Sequence, residues 1–205
     1  TFGTALAVGL LLVAIPARAH IRLESPKNWI EVSALGDPQK AGPCAAPTAG
    51  NPASGVVTRV AAGSKLKIRI KETIAHPGHF RISIAKNRAD FVDPVPVVED
   101  NDCKSAPIQS TPVAPVLLDG VGVHIDPLPN GELEQEITIP NEPCDKCTLQ
   151  VVQFMSAHAP PCFYYQCADI QIVEGLDGGP VEVGGSSSGG TKDASAPSTN
   201  NGADE

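Results

Sequence analysis

Gly63-Ser64-Lys65-Leu66-Lys67-Ile68-Arg69-Ile70-Lys71 decides the fold. Its apolar side chains fall on every second residue, so an extended chain buries them all on one face and leaves the cations in water. Gly63-Ser64 supplies the turn before it. The same period continues outward along the chain. Phe80, Ile82 and Ile84 alternate with Arg81 and Ser83; Leu133, Ile137 and Ile139 form a further run; then come Thr148 to Phe154 and Ala168 to Val173. Seven or so such runs in the 157 residues from His20 to Leu176, separated by Gly, Pro, Asn and Asp, predict an all-β chain. The expected architecture is a two-sheet antiparallel β-sandwich of immunoglobulin or fibronectin III type. Lys27 to Ser54 has no period and is expected to be a long surface loop.

Composition agrees. With 19 Gly and 20 Pro among 205 residues, a helical bundle is excluded. Fifteen Lys and Arg against 23 Asp and Glu give a net charge of −8, and no basic cluster offers phosphate contacts, so no nucleic-acid partner is expected.

The two ends read differently from the middle. Ala5 to Ile15 is apolar without a break, too short for the roughly 20 residues a membrane span needs. Followed by Ala17-Arg18-Ala19, it fits a signal peptide over 1–19, with the usual basic start expected upstream of Thr1. Cleavage after Ala19 would make His20 the first residue of a secreted, extracellular or periplasmic protein. From Asp177 to Glu205 the chain is rich in Gly and Ser, including GGSSSGG at 184–190, and predicts a disordered linker or tail. Attachment to a membrane or cell surface would fall to sequence beyond Glu205.

An exported chain with six cysteines is expected to hold disulfides. Cys44, Cys103, Cys144, Cys147, Cys162 and Cys167 allow 15 pairings. Cys144-x-x-Cys147 leads into a strand pattern and not a helix, so a structural role is expected rather than a thioredoxin-like redox one.

Five histidines carry the chemistry. An N-terminal His20 can chelate one metal through its amine and a ring nitrogen. His76 and His79, in what reads as a hairpin connection between two strands, can add a second imidazole. Three nitrogens in a T suit Cu(II), and the amine, with a pKa of about 7.7–8.0, deprotonates readily. His124 alternates with Val121, Val123 and Ile125 and reads as a strand position.

The mature His20, the loop His76-x-Gly78 and the segment Tyr164-Tyr165-Gln166-Cys167-Ala168-Asp169-Ile170 together resemble the lytic polysaccharide monooxygenases. The likeness is greatest to the bacterial secreted monooxygenase-like proteins related to them. The resemblance implies one copper ion in a histidine brace within a domain spanning 20–176. It implies His20 as ligand through its amine and Nδ1, His76 through Nε2, with His79 as the alternative to His76. Tyr164 becomes the axial residue and His158 the distal polar group; with the ligands His20 and His76 they form the expected catalytic set, while Tyr165 faces the other way. Cys162 stands where fungal members often carry Gln. A Cys44–Cys167 bond would tie the long loop to the strand of Tyr164.

The implied activity is copper-dependent oxidative cleavage of glycosidic bonds at a chitin- or cellulose-like surface, by a monomer fed by an external electron donor. Trp29 would be a sugar-stacking element or a core residue. A copper carrier or chaperone without oxygenase activity, and a metal-free adhesion domain, are the alternatives; Met155 as sole Met speaks against a Met-rich Cu(I) carrier.

Overall fold

The computed structural model describes residues 19–175 and 179–184. The predicted signal peptide, Ala19 apart, and most of the predicted tail lie outside these residues. Within them the chain is all β, with two three-residue 3-10 turns and no α-helix. The strands are β1 (His20–Ser25), β2 (Val57–Ala61), β3 (Lys65–Ile74), β4 (Gly78–Ala85), β5 (Val97–Glu99), β6 (Asp102–Ser105), β7 (Val116–His124), β8 (Glu132–Thr138), β9 (Cys144–Met155), β10 (Phe163–Val173) and β11 (Val181–Val183).

They form a three-stranded sheet, β1-β3-β8, packed on a six-stranded sheet, β11-β2-β10-β9-β4-β7, with a β5–β6 hairpin beside them. In β3 Leu66, Ile68 and Ile70 are buried while Lys65, Lys67 and Arg69 are exposed, as the alternation requires. These three meet Phe80, Ile82, Leu149, Val151, Ala168 and Ile170 of the facing sheet in one core. The outer face of β3 carries a cation row opposite the anions of β8, with Lys67–Glu134 at 3.1 Å and Lys71–Glu132 at 3.4 Å. Such exposed pairs add little stability each.

Three details differ from the sequence reading. The β3–β4 connection is not a hairpin: the two strands belong to different sheets, so Ala75-His76-Pro77 crosses the sandwich. Hydrophobic alternation marks strands but not their partners. The large sheet also contains one parallel pair, β2–β10, among antiparallel ones. Finally, Val181–Val183 pairs with β2 as an edge strand, so this part of the predicted tail is ordered; a three-residue Val-Glu-Val motif is too short to register as a periodic run.

All six cysteines are paired, as Cys44–Cys167, Cys103–Cys162 and Cys144–Cys147. Cys44–Cys167 holds the long loop to β10 and spans 123 residues of sequence. Replacing both by Ser is expected to lower unfolding free energy by about 2–5 kcal/mol, from the entropy of a long closed loop. Chemical denaturation measures the loss, and amide exchange should rise first in the loop around Gly36–Gln39.

Candidate metal centre

His20 opens β1 and lies opposite Ile74, the last residue of β3. Two residues later His76 stands in the crossover, so antiparallel pairing alone brings both histidines to one end of the sandwich. β10 supplies Tyr164, 2% exposed, on the inner face of the large sheet, where it packs with Met155 and Ala19. The His20 ring meets Tyr164 edge-on, with centroids 5.8 Å apart and planes at 74°. His158 meets the same tyrosine at 5.9 Å and 78°, and His76 at 5.1 Å. Four of the predicted residues therefore form a chain of contacts: His20, Tyr164, His158, His76.

Their ring nitrogens are unequally occupied. His20 Nε2 is 3.2 Å from Asp37 Oδ2, while its Nδ1 is buried without a hydrogen-bond partner. A buried nitrogen left so costs on the order of 1–3 kcal/mol, which an unsatisfied lone pair recovers on binding a Lewis acid. His76 Nδ1 lies 3.3 Å from the Pro77 carbonyl, which can only accept, so Nδ1 carries the proton and Nε2 keeps its lone pair. The donor set thus fits a borderline metal such as Cu(II). Among the described residues no three His, Cys, Asp or Glu side chains gather to hold an ion.

His158 is placed by its backbone. Its carbonyl accepts from Cys103 N–H at 2.9 Å, Ala157 N–H returns the bond to Cys103, and Cys103–Cys162 closes the loop. Ser156 N–H adds a bond to Pro77 of the crossover at 2.9 Å. Burial foremost, then the neighbouring His76, holds the His158 ring below the ordinary histidine pKa. Lys40 Nζ stands 5.8 Å over the Tyr164 ring at the exposed edge.

Other predicted residues lie elsewhere. His79 precedes Phe80, which faces the core, so His79 points to the outer face against Phe154 at 5.1 Å, on the opposite side from Tyr164. The structure does not bring it to His20. Tyr165 also takes the outer face, as its parity requires, and donates its hydroxyl to Asp93 at 2.5 Å. Trp29 is half-buried, with Arg88 stacked on its ring at 3.6 Å and its indole N–H bonded to the Cys44 carbonyl. Its backbone meets Cys167, about 10 Å along β10 from Tyr164. His124 ends β7 with both nitrogens engaged, at 2.6 Å from Gly122 O and 2.8 Å from Glu72 Oε1.

Sequence reasoning missed Asp37, Lys40, Gln39 and Gln166. The first three lie in an aperiodic loop, where nothing distinguishes them from other polar residues. Gln166 sat inside the quoted Tyr-Tyr-Gln motif, and its inward parity with Tyr164 was the available signal.

A family model described as "Lytic polysaccharide mono-oxygenase, cellulose-degrading" matches residues 24–170. The chain belongs to that family. The match begins four residues after His20 and includes His76, His158 and Tyr164. No curated protein sequence matches the chain. Among solved structures, an AA10 lytic polysaccharide monooxygenase from Streptomyces lividans is similar at 14% identity, over 72% of this chain and 84% of that one, with a TM-score of 0.37. A chitin-binding domain from Burkholderia pseudomallei is similar at 14% identity, over 76% and 100% respectively, with a TM-score of 0.38. The family assignment rests on the model match and not on these distant likenesses.

The position of His79 has a measurable consequence. Burial first lowers its pKa, Asp119 opposes, and Arg81 and His124 lower it further. A lowered folded-state pKa means that the unfolded chain binds the proton more readily, so stability is full at neutral pH and falls as pH drops through the ordinary value near 6.5. The His79→Gln variant is expected to show a shallower loss of unfolding free energy between about pH 7.5 and about pH 5, measured by denaturant titration at each pH.

Proposed function

We propose that the protein is secreted, that removal of residues 1–19 exposes His20, and that the processed chain oxidatively cleaves a chitin- or cellulose-like polysaccharide with one bound copper ion. The observation that carries this is the buried, unpartnered Nδ1 of His20 beside Tyr164, at the same end as a His76 ring whose Nδ1 bonds the Pro77 carbonyl and leaves Nε2 as the lone-pair nitrogen.

In this reading His20 gives its α-amino nitrogen and Nδ1, and His76 gives Nε2. A main-chain amine is the third donor that the side chains do not provide. Removing Ala19, which packs against Tyr164 and Met155, both frees that amine and clears space at the tyrosine ring. Bound copper supplies one-electron redox chemistry, by which an external reductant and oxygen or peroxide oxidise a C–H bond at a glycosidic linkage. Tyr164 walls the inner side of the site and excludes water there. His158, held neutral at neutral pH by burial, offers a ring nitrogen for hydrogen bonding beside His76. Its Nδ1 is buried and without a partner.

The test is a protein beginning at His20, loaded with copper and followed by EPR. One ion per chain is expected, with His76→Ala losing stoichiometric binding and His79→Ala keeping it. With ascorbate and oxygen or peroxide, the copper form should release oxidised oligosaccharides from cellulose or chitin, detected by mass spectrometry. Binding without oxidised product from either glycan would make the protein a copper carrier; no binding at all would make it a metal-free domain.

A further inference from the structure

We infer that Asp37 is a positioning residue for His20: its carboxylate accepts the Nε2–H of the imidazole and thereby fixes both the ring plane and the tautomer that leaves Nδ1 as a lone-pair donor. The inference rests on the copper reading of the site for its purpose, and on His20 and Asp37 alone for its geometry.

A carboxylate can only accept a hydrogen bond, so the 3.2 Å contact between Asp37 Oδ2 and His20 Nε2 places a proton on Nε2. In the neutral ring Nδ1 is then unprotonated, and it is the buried atom without a partner. A histidine whose second nitrogen donates to a carboxylate is a more basic and better oriented metal ligand.

The residues around Asp37 show a seat built for this contact. Gly36 lies flush on β1: a Cβ there would come within 1.8 Å of the Ile21 carbonyl oxygen, and its φ of +104° is open to glycine alone at little cost. Gln166, two residues beyond Tyr164 on β10, donates from Nε2 to both Ile21 O, at 3.2 Å, and Gly36 O, at 2.8 Å. Ile21 N–H donates to Gln39 Oε1 at 3.0 Å, and the Gln39 carbonyl accepts from Tyr165 N–H at 2.8 Å. Asp37 itself donates its N–H to Ser33 Oγ at 3.1 Å. Its carbonyl accepts from Ser33 N–H at 2.9 Å and from Asn51 Nδ2 at 3.2 Å. The backbone on both sides of Asp37 is thus fixed to the strand that carries His20, and only the carboxylate's own torsions are free.

A bland ion pair would leave the same distance. The Asp37 side chain is 43% exposed, and a pair that open contributes little to stability. The consequence therefore falls on the ring of His20 and not on folding, and a thermal melt cannot see it.

The measurement begins with metal-free protein starting at His20. Nitrogen-15 NMR of the His20 ring should report a single Nε2–H tautomer in the parent and a mixture in Asp37→Ala, with unchanged melting. Copper titration should then show Asp37→Ala binding on the order of 10- to 100-fold more weakly, the range for loss of a carboxylate behind a ligating histidine. Its Cu(II) EPR spectrum should be shifted or split into two species. Asp37→Asn, isosteric and still able to accept from Nε2–H, should keep the parent tautomer and spectrum and lose part of the affinity; it carries the test if Asp37→Ala does not fold. Parent-like tautomer and affinity in Asp37→Ala, or parent-like affinity in Asp37→Asn where that variant decides, overturns the inference while the copper reading stands. A tautomer shift in a parent protein that binds no copper supports the positioning by Asp37 and overturns the copper reading.

Discussion

The buried side-chain amide of Gln166 is the contact on which the arrangement of the face carrying His20, His76 and Tyr164 depends. It is 1% exposed and all of its hydrogen-bonding capacity in use is internal. Both protons of Nε2 go to carbonyls, one on β1 and one on the long loop, and Oε1 accepts from Asn28. One side chain of the six-stranded sheet thus fixes the first strand of the three-stranded sheet and the loop crossing over it. A buried amide with any of these bonds missing would lose about 1–3 kcal/mol per orphaned group, so the three elements keep one relative placement. His20 inherits its position from that placement, because it is the neighbour of Ile21.

Strand parity then sorts the chemistry. Along β10 Tyr164, Gln166 and Ala168 face inward, while Phe163, Tyr165 and Cys167 face outward. The inward set meets the histidines, β1 and the long loop; the outward set meets the disulfides, Asp93 and the cover formed by residues near Cys103. The two disulfides nearest the site lie on the outer side, behind the elements that they hold. Cys44–Cys167 anchors the loop bearing Asp37, and Cys103–Cys162 anchors the loop bearing His158. A site that needs ring nitrogens held in place is preorganised here from behind, by the backbone, with the rings themselves left few partners.

Strand parity places His79 but not His76, three residues before it. His76 lies in a crossover between sheets, where its ring is aimed by Pro77 and Ser156 rather than by strand alternation. His79 is one step into β4 and is committed to the outer face, where burial foremost, with Arg81 set against Asp119, disfavours its charged form. A buried polar layer below the site, Glu72 with His124 and Gln153, continues the inner face of β3 and fastens Leu128 of the connection after β7.

The sequence by itself determined the class of fold, the strands that face the core and the residue types at the site. These follow from local periodicity: Leu66, Ile68 and Ile70 can share one face only in an extended chain, and Tyr164 and Tyr165 must part. It also carried His20, His76, His158 and Tyr164 as candidates, through motifs short enough to quote. Which strands pair was decided by the tertiary structure alone, because alternation records burial and not partners; hence the crossover at Ala75–Pro77 and the parallel β2–β10 pair. Asp37 and Gln39 were likewise invisible, since a loop without a period holds its residues through contacts distant in sequence, such as Gln166 with Gly36, 130 positions away.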